Sequence, residues 1–304
     1  MRVAAKSACP APLVELFREL GDLKRVRSAG LDGSVAQRLF ADGWRRLLAG
    51  HPPAQAMRGN TAAVLAAARL GDLNDAALDA LGLDPAERLA VLERGFDSST
   101  DVVATTLRAA LRNGLADPAP PALPLPEFVT RLAGQPRAGV TCPDKPRILL
   151  EPPENHAEHC LMVAAYGVLL SPGYGADPAT VWLAGMAHHL HNALIPDSGF
   201  TGEMLLGEHL LPVMERATEH SLAQLPPALA DTVRNARRIL PDADTPEGRA
   251  FHAADTLDRV LQIAQHLRAG QTTMRFVLHD MALVHEGPVK AFQDQVLAEA
   301  GLLA

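Results

Sequence analysis

Apolar residues recur at the three- and four-residue spacing of one helix face along almost the whole chain, and no stretch alternates as a half-buried strand does. Leu13, Leu16, Phe17 and Leu20 open a first helix. Val35, Leu39, Phe40, Trp44, Leu47 and Leu48 mark a second, closed by Gly50 and Pro52. The series continues over 62–70, 75–81, 85–92 and 100–111, with Asp84-Pro85 placing a capping carboxylate before a proline at the first helical position. Proline then breaks the pattern. Asp117-Pro-Ala-Pro-Pro-Ala-Leu-Pro-Leu-Pro126 has few backbone donors and should run extended as a semi-rigid connector. One short helix fits Leu125 to Gly134, and Pro136 to Pro153 is again irregular.

Further on, a helix is predicted from about Asn155 to Leu170, stopped by Ser171-Pro172-Gly173. Asp177-Pro178 starts the next, running through Trp182 to about Leu190. Two more follow over 205–222 and 227–240. Thr245-Pro246 caps a long helix from Glu247 to Arg268, which Gly270 ends, and Met281 to Leu303 gives one or two closing helices. The fold class is all-α. The composition break suggests a smaller N-terminal helical domain over 1–120, a Pro-rich connector over 121–153, and a second helical domain over 154–304.

Composition changes this picture little. Apolar residues make up 48% and charged residues 21%, as in a soluble globular protein. A net charge of −7 argues against a nucleic-acid polymer as partner, because phosphate contacts need clustered Lys and Arg. It leaves room for a small phosphorylated metabolite in a local positive pocket. Cys9, Cys142 and Cys160 show no CxxC spacing and read as reduced thiols. The first residues lack a signal-peptide core, and no apolar run suits a membrane span, so a cytoplasmic protein with no membrane partner is expected.

The chemistry should lie in the C-terminal half. Of twelve histidines only His51 precedes residue 156, and two clusters follow, His156-Ala-Glu-His159 and His188-His189-Leu190-His191. Neutral imidazole is the commonest nitrogen ligand for transition metals. His156 and His159 share one side of their helix, as do His188 and His191, while His189 points about 100° away from His188 on a regular helix. Asp255 sits at the border of an apolar stripe formed by Ala254, Leu257, Leu261 and Ala264. A carboxylate there needs a counter-charge: a metal ion, or Arg259 one turn on.

These segments resemble the HD-domain superfamily of metal-dependent phosphohydrolases. Glu154-Asn-His-Ala-Glu-His159 resembles its first motif, Leu183-Ala-Gly-Met-Ala-His188-His189 the segment carrying its His-Asp doublet, and Ala253-Ala254-Asp255-Thr-Leu257-Asp258-Arg259 its last motif. The wording at 154–159 is nearest to the nucleoside 5′-monophosphate phosphatases. The resemblance spans about residues 145–270 and implies an HD-like helical bundle with His159, His188 and Asp255 as metal ligands. Gly71-Asp72-Leu73-Asn74-Asp75 faintly echoes the doublet, which makes the N-terminal half a candidate degenerate repeat.

Two positions depart from the family. His189 replaces the doublet's aspartate, which bridges two ions in dinuclear members. A mononuclear site of His159, His188, His189 and Asp255 is therefore expected, with Zn, Mn, Fe, Co or Ni all compatible. Asn192 stands where nucleotidase-like members carry a glutamate; an amide can hydrogen-bond a water or phosphate but is no general base, so Glu158 or a metal hydroxide would have to take over. Lys145, Arg147 and Arg259 are candidate phosphate-binding groups. The expected activity is hydrolysis of a nucleotide or small phosphoester. The alternatives are an HD-type non-heme iron oxygenase, with His191, His209 or His220 serving a second ion, and a catalytically degenerate HD domain used as a sensing or interaction module. The Ala- and Leu-rich N-terminal helices suit protein contact, including a homo-oligomer.

Overall fold

The computed structural model describes residues 9–267 and 273–302, and over these the chain is all-α, with fourteen α-helices. The N-terminal part holds α1 (Ala11–Asp22), α2 (Val35–Leu48), α3 (Pro53–Leu70), α4 (Asp75–Ala80), α5 (Pro85–Asp97) and α6 (Thr105–Asn113). The extended Pro-rich segment leads into α7 (Glu127–Gly134). Beyond it lie α8 (His156–Tyr174), α9 (Pro178–Ala187), α10 (Gly199–Leu206), α11 (Leu210–Leu222), α12 (Pro227–Ala236), α13 (Pro246–Leu267) and α14 (Lys290–Glu299). Among the described residues no helix is long and apolar enough to cross a membrane.

Helix α8 is apolar on every side, and such a helix can only be stable when surrounded. All residues from His156 to Ser171 are buried. Helices α9 and α13 pack along it, and α2 approaches from the N-terminal part. The hydrophobic core is one cluster, running from Leu13 and Trp44 through Leu161 and Trp182 to Val296. The cluster has members on both sides of the composition break near residue 120. Trp182 Nε1 donates to Asn60 Oδ1 at 3.2 Å, and Asn60 Nδ2 donates to the Leu39 carbonyl at 2.8 Å, tying α9 to α3 and α2.

Several helices end elsewhere than the pattern suggests. Helix α8 passes through Pro172 and stops only at Gly175, whose left-handed φ of 68° is a conformation glycine adopts without a Cβ clash. The Ser171 hydroxyl donates to the Gly167 carbonyl in the turn that proline disturbs. The helix expected over 205–222 is split at Gly207, and the one over 227–240 ends its α-helical part at Ala236. Arg268 and Gly270, expected to finish the long helix, and Leu303, expected to close the last one, lie outside the described residues.

The α8–α9 contact depends on a missing side chain. A Cβ on Gly185 would lie 2.7 Å from the backbone N and Cα of Ala164, which cannot move as a side-chain tip can. Gly→Ala in a helix ordinarily gains about 1 kcal/mol, whereas overpacking costs about 1–3 kcal/mol. Gly185→Ala is expected to destabilise by up to about 2 kcal/mol, read as a lowered urea midpoint with an unchanged slope. A raised midpoint would show that α8 and α9 separate freely.

Candidate metal centre

The centre forms where the start of α8, the end of α9 and the middle of α13 meet. Asn155-x-x-Glu158 is a capping box: Asn155 Oδ1 accepts from the Glu158 N–H at 3.0 Å and Glu158 Oε2 accepts from the Asn155 N–H at 2.9 Å. Ser34, the N-cap of α2, donates its hydroxyl to Glu158 Oε1 at 2.6 Å. Both oxygens of Glu158 thus serve the fold. The carboxylate, expected as the proton acceptor, is absent from the wall of the neighbouring cavity. The cap also fixes His159 in the first turn of α8, pointing inward and fully buried.

Helix α9 stops at Ala187, and His189 leaves it with φ −100° and ψ 23°. This changes the angle expected on a regular helix. His188 and His189 turn toward the same place, ring centroids 4.2 Å apart, and each lies about 5 Å from the His159 ring. The ligand nitrogens of the three fall within 4.8 Å of one another.

Each imidazole has its Nδ1–H held. His159 donates to Asp258 Oδ2 at 2.7 Å, and His188 to the Gly185 carbonyl at 2.7 Å. His189 donates to Asn192 Oδ1 at 2.7 Å, and Asn192 Nδ2 donates to the Ile195 carbonyl, which fixes the amide's orientation. Carbonyl and carboxylate oxygens only accept, so the Nδ1 atoms carry hydrogen and the Nε2 lone pairs are presented. Metal-binding histidines are oriented by such outer partners. His159 Nε2 lies 3.1 Å from His188 Nε2 and 3.2 Å from Asp255 Oδ1. Three acceptor atoms at this spacing need positive charge between them, either a proton on His159 or a divalent ion. The donor set of imidazoles and one carboxylate fits a transition metal.

Protonation follows the same contacts. Burial and Arg137 lower the His159 imidazole, but hydrogen bonds to Asp255, Asp258 and Glu154 outweigh them and raise it to about 9. Burial, then neighbouring positive groups, pushes His188 and His189 well below the usual range. A metal ion must displace the His159 proton, so affinity should climb with pH by up to about tenfold per unit below about 9 and level off above it. Competition with a chelator at several pH values measures this. A flat response between about pH 6 and 8 would contradict the ligand role of His159.

A second group of potential ligands, Glu154, His159 and Asp258, lies behind the first. It already holds a cation. Lys24, in the turn after α1, places Nζ 3.1 Å from Glu154 and 2.7 Å from Asp258, with its side chain 2% exposed. Asp255 makes the i,i+4 pair with Arg259 at 3.4 Å while also facing His159.

The first group opens on a cavity of about 760 Å³. His188, His189, Asn192, Asp255 and Arg259 line it, as do Arg137, His156 and Asp197. Lys145 and Arg147 do not: both are exposed, and Arg147 reaches only the Ser198 carbonyl at 3.4 Å. Arg137 takes the inner position, its Nη1 donating to His189 Nε2 at 3.0 Å. Nothing in the irregular 136–153 stretch marked it. Glu154 and Asp258 were visible at the edges of the motifs, and Asp258 falls one turn after Asp255. His209 and His220 are exposed, whereas His191 is buried at the cavity.

Residues 157–260, about a third of the chain, match the family model of the HD domain. No curated protein and no solved structure matches the chain. The segment that carries α8, α9 and α13 is thus an HD domain, of the metal-dependent phosphohydrolase-like superfamily.

Proposed function

We propose that this HD domain is a phosphohydrolase acting on a nucleotide or small phosphoester, with one divalent transition metal held by His159, His188, His189 and Asp255. The carrying observation is the orientation of the three imidazoles, each held at Nδ1 with their ligand nitrogens within 4.8 Å of one another, and with His159 Nε2 3.2 Å from Asp255. When bound, Zn, Mn, Fe, Co or Ni supplies Lewis acidity and makes water a stronger acid at the centre. The chain supplies positioning and charge. Arg137 and Arg259 line the cavity, and guanidinium groups pair well with phosphoryl oxygens. Once His189 Nε2 is a ligand, Arg137 is free to turn its N–H groups to substrate. Asn192 positions His189. His156, whose Nε2 lies 3.4 Å from Asp197, takes the proton-accepting role first given to Glu158.

The test is elemental analysis of the purified protein, joined to phosphate release from a panel of nucleotides and phosphoesters before and after chelation. One equivalent of metal and chelator-sensitive release are expected. One equivalent with no release across the panel would rule out the hydrolase. The two-iron oxygenase reading is disfavoured because His209 and His220, expected to serve a second ion, are exposed and do not line the cavity. The degenerate sensing or interaction module draws support from Arg137, which engages the His189 lone pair. Protein without stoichiometric metal would favour it.

A further inference from the structure

A second cavity, of about 1000 Å³, lies in the N-terminal part between α2, α3, α4, α5 and the Pro-rich connector, away from the metal centre. Four arginines and four aspartates line it. Three pairs neutralise one another: Arg38 with Asp72, Arg45 with Asp42 at 2.6 Å, and Arg88 with Asp75 at 2.8 Å. Arg46 is left over. It is only 6% exposed, it makes no ion pair among the described residues, and its Nε has no hydrogen-bond partner. Its one hydrogen bond is a 3.3 Å contact from Nη1 to the Pro118 carbonyl. A buried cation normally requires a counter-charge. Asp117 and Asp42 are close enough to be felt, yet burial outweighs them and lowers the Arg46 guanidinium. Asp117 Oδ2 is itself buried without a partner.

The space around Arg46 is shaped for it. A Cβ on Gly59 would lie 2.6 Å from Nη1, so glycine there lets the guanidinium lie flat on α3. The rest of the wall is largely apolar. Leu39, Leu70, Leu89, Leu92 and Leu115 line the cavity and stay half-buried. Leu89 and Leu92 explain an oddity of α5, whose apolar stripe is not covered by the core: only Gly95 and Phe96 of that helix are buried.

The three pairs leave one cation, Arg46, and one anion, Asp117, of the lining outside an ion pair, and Arg46 beside the apolar wall is the group that would receive a singly charged head with an apolar body. We propose that this cavity binds an amphipathic carboxylate, its head on Arg46 and its chain along the leucines of α2, α3 and α5. A polyanion such as a nucleoside triphosphate fits poorly, since the other three arginines are already paired.

Octanoate and its neutral analogue 1-octanol, titrated calorimetrically into the full chain, test the assignment. Octanoate should bind at one site per chain, at least about tenfold more tightly than 1-octanol. Arg46→Gln should remove that difference while leaving 1-octanol binding unchanged, which also shows that the variant is folded. Leu92→Glu, which puts a carboxylate on the apolar wall, should abolish octanoate binding by a route that leaves Arg46 intact. Equal binding of the two probes by the wild-type chain overturns the proposal. So does octanoate affinity unaltered in either variant, or no octanoate binding at millimolar concentration. Metal content plays no part in these readouts, so they stand apart from the fate of the hydrolase reading.

Discussion

Lys24→Met is expected to lower stability by about 3–5 kcal/mol, a large part of the roughly 5–15 kcal/mol that holds a protein folded. Methionine nearly matches the volume but leaves Glu154 and Asp258 buried with no ammonium between them. Both carboxylates are under 10% exposed, so water cannot replace the lost partner cheaply. Lys24 itself shows which side prevails: burial lowers it, but Asp258 and Glu154 more than compensate, and it is raised. Urea unfolding followed by circular dichroism gives the size of the loss. Combining Lys24→Met with Glu154→Gln and Asp258→Asn removes all three charges together, and much of the stability should return, because a buried neutral set has lost its desolvation cost. A single variant within about 1 kcal/mol of wild type would show that the ion group contributes little.

The second large effect concerns the metal. His188→Ala removes a nitrogen that the Gly185 carbonyl orients toward His159 and Asp255. Bound metal is expected to fall to background, and phosphate release with it. Asn192→Ala leaves every proposed ligand in place but frees His189 to rotate, and loss of such an outer partner costs about 10–100-fold in metal affinity. The order of the two variants is the informative part. If Asn192→Ala equals His188→Ala, the amide is more than a positioning group. If His188→Ala retains one equivalent of metal, the proposed ligand set is wrong. Arg137→Gln and Arg259→Gln should weaken substrate binding, whereas Lys145→Ala and Arg147→Ala, on the exposed loop, should leave it unchanged.

Much of the frame could be read from the chain. Helical periodicity identified the all-α class, and the apolar run from Cys160 to Leu170 marked the helix that must lie at the centre. His159, His188 and Asp255, far apart in sequence, do converge. Glu158, expected as the proton acceptor, also carries a structural signal. Asn155-x-x-Glu158 is a helix-start pattern, and a carboxylate that accepts from the Asn155 N–H and the Ser34 hydroxyl is held in place by the fold. His189, expected as a ligand, reaches the centre by a route that helix spacing did not show. A regular helix sends neighbours apart, and only the termination of α9 at Ala187 lets the two rings face one point.

The helices, their apolar faces and the set of histidines and carboxylates available were legible from the chain alone, because these depend on spacing of a few residues. Tertiary structure alone decided which charges meet. Lys24 reaches Glu154 across 130 positions and Asp258 across 234, and Arg137 enters the centre from a stretch with no periodic pattern. Burial then forces a choice that local spacing leaves open. In the core an ammonium, guanidinium or imidazole is stabilised by an oxygen or a lone pair, and which partner it finds is fixed by how the helices close around it.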